Sequence, residues 1–307
     1  PYYWRKGADG KALPYLDSIK FEIVPDDATR ILKLQSGELD GAEFIPYSRV
    51  KELKGNPALN MVLFPSTRVE YSSMNVRPEI DGKPNPLANP KVREALNYAT
   101  DKDGVVQLVT YGIGKPMTSF MSTSTPLNSG TKPLYPVDVA KANALMKEAG
   151  FGSGFSTSMM ILAGNEDDIS IATALQQMWS QIGVKLTINQ VDNATRTDRY
   201  RKGDFSMRLS PWTDDIADPN EITSYFAYSK NIQALHSGWK NDVVDQAFER
   251  SQKEMDPVKR AADYKTIQDT YDSTGPTIPL YESSYPVALK KDVRDFVQIP
   301  LGNNIFT

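Results

Sequence analysis

The chain is 307 residues long with 40% hydrophobic and 24% charged side chains, ordinary globular values at a length that allows more than one structural unit. Lys and Arg number 35 against 38 Asp and Glu, a net charge of −3, and the basic residues are scattered, which argues against nucleic acid as a partner. Cysteine is absent, which excludes disulfides and thiolate chemistry, and no apolar run approaches the roughly 20 residues of a membrane-spanning helix.

The chain opens on Pro1 rather than Met, and its first strand-like run follows a polar lead-in, so an upstream segment is expected to have been removed. In residues 18–24, Ile19, Phe21 and Ile23 alternate with Lys20 and Glu22 as in a half-buried strand. Pro25, Asp26 and Asp27 open a helix whose apolar positions are Ala28, Ile31, Leu32 and Leu34, stopped at Gly37. Short strands are expected at 39–44, 60–64 and 69–75, with a helix at 48–53 between the first two. Residues 77–90 carry Pro78, Pro84, Pro86 and Pro90, a density of breakers that predicts an exposed loop after a junction between lobes.

Beyond the loop, Pro90 starts a helix with Val92, Ala95, Leu96 and Ala99 on one face. A second helix at 105–110 and a long ordered loop at 115–135 come next, then a helix at 137–149 stopped by Gly150. Strand 155–162, helix 168–182 and strand 184–191 form a unit expected to be parallel and right-handed. A short basic helix at 195–202 leads into strand 205–210. Helices at 220–229, 241–254 and 257–272 follow, the last with Ala261, Tyr264, Ile267 and Tyr271 on one face, and strands at 276–281, 287–289 and 296–299 end the chain. Residues 19–75 and 276–307 would share one sheet, so the chain would cross twice between lobes.

Chemistry gathers where strand 205–210 runs into Ser210-Pro211-Trp212-Thr213-Asp214-Asp215-Ile216-Ala217-Asp218-Pro219. At such a strand end the freed backbone and loop side chains converge on a crevice, an indole offers an apolar wall, and a carboxylate can seat a cationic amine. Asp218 has a structural task, capping the next helix with Pro219 at its first position. Asp214 and Asp215 have no such task and are site candidates, with solvation the plain alternative. Tyr71, Tyr111, Tyr225, Trp239 and Tyr281 could line a cleft, although Trp239 reads as core or rim, and Tyr71 and Tyr281 as hinge packing. His236, the one histidine, sits in a polar turn and reads as a surface or loop residue, so no protein metal site and no cofactor are expected. An enzyme reading would pair Asp214 or Asp215 with Glu166 in a glycoside hydrolase. The chain has no Gly-x-Ser-x-Gly elbow and no phosphate-cradling glycine loop.

The stretch from Asn89 to Lys102, with Pro90, Val92, Arg93, Glu94, Ala95, Leu96, Asn97 and Tyr98, resembles a hallmark of periplasmic solute-binding proteins of peptide- and nickel-type ABC importers. The likeness continues through residues 23–26, 34–40, 144–151, the Trp212 to Pro219 loop, Val244-Asp245, 256–260 and 278–281. It implies an α/β, periplasmic-binding-protein-like bilobal fold of the class with an extra domain, here a fragment with one complete lobe and part of the other. The lobes would be 1–75 (partial first), 76–275 (second) and 276–307 (return to the first). It implies too a periplasmic receptor, monomeric when full-length, that delivers a small-molecule ligand, peptide-like, opine or similar, to ABC permease subunits in the membrane without altering it. By this resemblance Trp212 and Thr213 lie against the ligand and Asp215 holds its amino group, with Asp214 beside them. The resemblance places the basic residue for a ligand carboxylate in the loop after strand 155–162. That loop holds Asn165 and Glu166 but no Lys or Arg, a departure from dipeptide specificity.

Overall fold

A computed structural model describes residues 4–7, 9–24, 26–231, 235–302 and 304–305. In chain order the strands are β1 (Gly41–Ala42), β2 (Leu59–Phe64), β3 (Val69–Met74), β4 (Glu79–Ile80), β5 (Lys83–Pro84), β6 (Lys115–Pro116), β7 (Phe155–Leu162), β8 (Val184–Val191), β9 (Met207–Trp212), β10 (Thr277–Glu282), β11 (Tyr285–Lys290), β12 (Val297–Gln298) and β13 (Asn304–Ile305). The α-helices are α1 (Asp27–Ser36), α2 (Tyr47–Lys54), α3 (Pro90–Tyr98), α4 (Lys102–Thr110), α5 (Val139–Glu148), α6 (Glu166–Ser180), α7 (Asn193–Lys202), α8 (Asn220–Phe226), α9 (Asp242–Ser251) and α10 (Pro257–Thr274).

The chain divides into two units, residues 1–66 with 284–307, and residues 67–283. The crossings therefore fall outside the expected 75 and 276. The physical reason is strand pairing: β3 and β10 pair antiparallel with each other, and β3 pairs antiparallel with β9 of the second unit. Residues 19–75 and 276–307 do pair with each other, but in two sheets: β1 and β2 with β11, and β3 with β10.

In the first unit, β11 lies between β1 and β2. Asp26 caps α1 by accepting from the Thr29 N–H, and Gly37 closes it at φ 83. Pro25, expected to open this helix, lies outside the described residues. Ile31 and Leu34 are buried as expected, but Leu32 is exposed. The expected strand at 18–24 does not form: its residues pair with no strand among those described, and Ile19, Phe21 and Ile23 are exposed. Alternation supplies a face, but a strand also needs a neighbour to bond.

The second unit is built on a sheet of order β6-β10-β3-β9-β7-β8. β7 and β8 run parallel in register from Phe155 opposite Val184 to Leu162 opposite Val191, joined by α6 as the strand-helix-strand reading predicts. Gly154 makes the return possible: at φ 78, a Cβ there would stand 1.9 Å from the Gly183 carbonyl oxygen. Residues 77–90 are less irregular than expected. Asp81 and Gly82, at φ 52 and 69, turn a two-residue hairpin between β4 and β5.

Each sheet face carries its own core. On one side Val92, Leu96, Val105, Ile171, Leu175 and Trp179 pack against Met159, Met207, Leu209 and Ile278. On the other, Val69 and Tyr71 meet Phe120, Ile222, Phe226, Trp239, Phe248, Tyr264 and Tyr271. Tyr71 and Tyr281 are thus core residues of the second unit, and so is Trp239, whose indole donates to the Thr274 carbonyl at 3.0 Å. Within the first core the Trp179 indole donates to Thr100 Oγ1 at 3.0 Å. Trp179→Phe, which deletes that bond and leaves part of the buried indole's space empty, is expected to lower unfolding free energy by about 2–4 kcal/mol, read by urea titration; a loss below about 0.5 kcal/mol would mean that neither the bond nor the packing matters there.

Candidate functional site

The site begins in the alternation of β9. Met207 and Leu209 enter the core beneath α3 to α6, which turns Arg208, Ser210 and Trp212 to the opposite face, where Ser210 lies across from Tyr71 of β3. β7 pairs with β9 only at Met207 and Arg208, so Pro211 costs the sheet no bond on that side. Trp212 leaves the strand packed on Tyr225 and Phe226, with ring centroids 4.8 and 5.7 Å away.

Two residues on, Asp214 is buried at 1% exposure and holds this arrangement. One carboxyl oxygen accepts from the Trp212 indole N–H and the other from the Thr125 hydroxyl, both at 2.9 Å, and its own N–H donates to Thr67 Oγ1 at 3.0 Å. Burial raises its pKa to about 6 against the pull of those hydrogen bonds. Asp214 is therefore engaged on both oxygens. Asp215 beside it is exposed: its N–H and that of Ile216 donate to Glu221 Oε2 at 2.7 and 3.0 Å, and no described residue bonds its carboxylate. Asp218 does receive the Asn220 N–H at 2.8 Å, although Pro219 stands at the helix boundary, and it also binds Arg260 Nη2 at 2.8 and 3.0 Å.

Trp212 lines a recess of about 350 Å3 in the second unit with two of the aromatics expected to line a cleft, Tyr71 and Tyr225, and with Arg196, Tyr200, Arg201, Arg208 and others. Thr213 is half-buried, and Thr213, Asp214 and Asp215 are not part of the recess lining. Asn165 and Glu166 lie elsewhere: Asn165 caps α6 by accepting from the Asp168 N–H at 3.0 Å, and Glu166 is exposed in its first turn. The sequence reading missed Arg208 and the arginines of α7. A charged residue inside an otherwise apolar strand, directly after a basic helix, was the available signal.

His236 lies in a turn, as the sequence suggests, but it is not fully exposed. It is half-buried at φ 46, its ring stands edge-on to Tyr200 at 4.7 Å, and its Nε2 is enclosed without a hydrogen-bond partner among the described residues. Burial first, then the guanidinium groups of Arg208, Arg77 and Arg201, lower its pKa. Among the described residues no cluster of three His, Asp or Glu could hold a metal ion, and no helix is long and apolar enough to cross a membrane.

An α/β unit whose sheet rim carries an aromatic, polar recess offers a place where a small solute can be held. Residues 1–234 match the family described as Bacterial extracellular solute-binding proteins, family 5 Middle, and the chain belongs to that family. It is similar to the glutathione-binding protein GsiB of Salmonella typhimurium, with 32% identity over 306 residues, covering 97% of this chain and 57% of that protein. Among solved structures it is similar to HbpA2 from Haemophilus parasuis, at 29% identity and a TM-score of 0.79 over 93% of this chain and 56% of that one. It is similar also to the ABC transporter substrate binding protein CtaP from Listeria monocytogenes, at 26% identity and a TM-score of 0.81 over 92% and 57%. The chain spans a little over half the length of these relatives.

Proposed function

We propose that the chain is part of the substrate-binding component of an ABC importer, which captures a small peptide-like solute outside the cytoplasmic membrane and hands it unaltered to the permease. Family membership supports the class, and the observation that carries the site is Trp212, held by Asp214 at the wall of a recess. An indole fixed by a partly buried hydrogen bond offers a flat apolar surface with little entropy left to lose on binding. The exposed Asp215 carboxylate next to it is suited to a ligand ammonium. The name of the similar Salmonella protein makes glutathione the first solute to try.

The reading needs no catalysis. A hydrolase would require two free carboxyl groups facing one bond, and Asp214 is taken up by Trp212 and Thr125 while Glu166 sits in the first turn of α6. No observation favours the glycoside hydrolase alternative.

Calorimetry on the protein as its cell produces it, against glutathione, dipeptides and an opine, tests the proposal. Asp215→Ala is expected to weaken binding by about tenfold or more, because a charge-assisted contact is lost at an exposed position where folding is untouched. Unchanged affinity would remove Asp215 from the site.

A further inference from the structure

Arg208 is the least comfortable residue in the second unit. It is 6% exposed, in the middle of a sheet, and its polar contacts are one hydrogen bond from Nη2 to the Tyr71 hydroxyl at 3.2 Å and the face of the Tyr200 ring, 3.8 Å from the guanidinium carbon. Its Nε is enclosed with no hydrogen-bond partner, and among the described residues no carboxylate lies within ion-pair distance. A buried cation without a counter-charge is costly, and a tyrosine face returns only part of that cost. A structural arginine is normally saturated. Arg93 in the same unit shows the contrast, donating to the carbonyls of Leu87, Ala88, Thr274 and Gly275.

Two more guanidinium groups share the recess with it, Arg196, half-buried, and Arg201, exposed, both on α7. The unpartnered Nε2 of His236 adds a further polar atom on the Tyr200 ring, and its lowered pKa reflects in part the positive field of Arg208, Arg77 and Arg201. Carboxyl groups do occur nearby but point elsewhere. Glu70 neighbours Tyr71 on β3 and so faces the opposite side of the sheet, where burial outweighs Arg68 and raises its pKa to about 8. Asp168 is tied to the Leu162 N–H at 3.1 Å. Arg196 acts on both of these electrostatically without pairing with either.

Resting on the receptor reading, we infer that the recess between β9 and α7 is a carboxylate subsite, in which Arg208, assisted by Arg201 and Arg196, receives an anionic end of the captured solute. The guanidinium fork matches the two oxygens of a carboxylate, and Trp212 and Tyr225 supply an apolar wall for the carbons behind it. A volume of about 350 Å3 is the low end for a ligand site, right for one end of a solute rather than the whole. The subsite explains how the loop after β7 can lack a basic residue. The charge is supplied by the neighbouring strand and helix.

Two measurements test this. First, side-chain NMR of the protein as its cell produces it follows the Arg208 Nε–H, assigned by its loss in Arg208→Lys, during titration with acetate, acetamide and inorganic phosphate. Saturable shifts with acetate and none with acetamide are expected, weakened in the Arg196→Ala, Arg201→Ala double variant, which alters only partly or fully exposed positions. Silence with acetate, an equal response to acetamide, or a response to phosphate alone would overturn the carboxylate assignment. Second, calorimetry on the protein as its cell produces it compares glutathione with its carboxamide at the glycine end. The amide should bind at least about tenfold more weakly, and the difference should vanish in Arg208→Met, with circular dichroism verifying the fold. If glutathione and its amide bind equally well, the subsite falls and the receptor reading stands. If acetate shifts Arg208 but no peptide, opine or glutathione binds, the receptor reading falls instead.

Discussion

Between pH 5 and pH 8 the second unit is expected to lose stability on the order of 3–6 kcal/mol, the reverse of the usual acid sensitivity. Glu70 titrates normally near 4.5 but is raised by burial to about 8, Asp214 from 3.8 to about 6, and the half-buried Asp272 from 3.8 to about 7. Between each pair of values the folded state keeps a proton that the unfolded chain has released. The stability these groups contribute is therefore complete below the unfolded values and drains away as pH rises through the folded ones. Lys102 opposes the trend: burial lowers it from 10.5 to about 7, so above pH 7 the unfolded state holds the extra proton and the decline should flatten. Surface carboxylates with lowered values, such as Glu22 and Glu52, are solvent-screened and contribute little. Urea unfolding followed by tryptophan emission, three of the four tryptophans lying in residues 67–283, measures the slope. Glu70→Gln should take away the largest share of it, and stability that climbs from pH 5 to 8 would refute the account.

Asp214→Ala is expected to cost the same unit about 2–4 kcal/mol, because it removes the acceptor of the Trp212 indole N–H, strands the buried Thr125 hydroxyl and leaves a small void. Asp214→Asn should cost less, since the amide oxygen still accepts from Trp212, and the gap should narrow further above pH 6, where the wild-type carboxyl carries an unpaired buried charge. With the indole released, solute affinity should fall even at temperatures where the protein remains folded. A loss below about 0.5 kcal/mol, within the range of an ordinary surface substitution, would show that Trp212 is held by its ring packing alone.

The parts of the fold that the sequence displayed were those whose signals are local. Pro90 behind Asn89, Gly37 after Ser36, and the apolar spacing of Tyr264, Ile267 and Tyr271 each act within a few residues, and helices stand there. Strand 18–24 and the lobe boundaries depended on which strands pair across long sequence separations, which no local pattern states. The candidate site divides the same way. The loop after β9 was visible as a Pro-bounded cluster of aromatic and acid, but the tasks within it were not: Asp214 lies buried and bonded while Asp215 stays in solvent, a distinction set by Thr67 and Thr125 from far along the chain. Arg208 escaped notice because a single cation in a strand gains meaning only when Tyr71, Tyr200 and α7 are brought around it.

The division into residues 67–283 on one side and two flanking segments on the other also orders the birth of the protein. Every described strand of the larger sheet is in hand once Glu282 has been synthesised, whereas the described neighbour of β2 is β11, the last long strand. Among the described strands, the neighbour of β2 is thus synthesised after the whole of the larger sheet, so this pairing closes late.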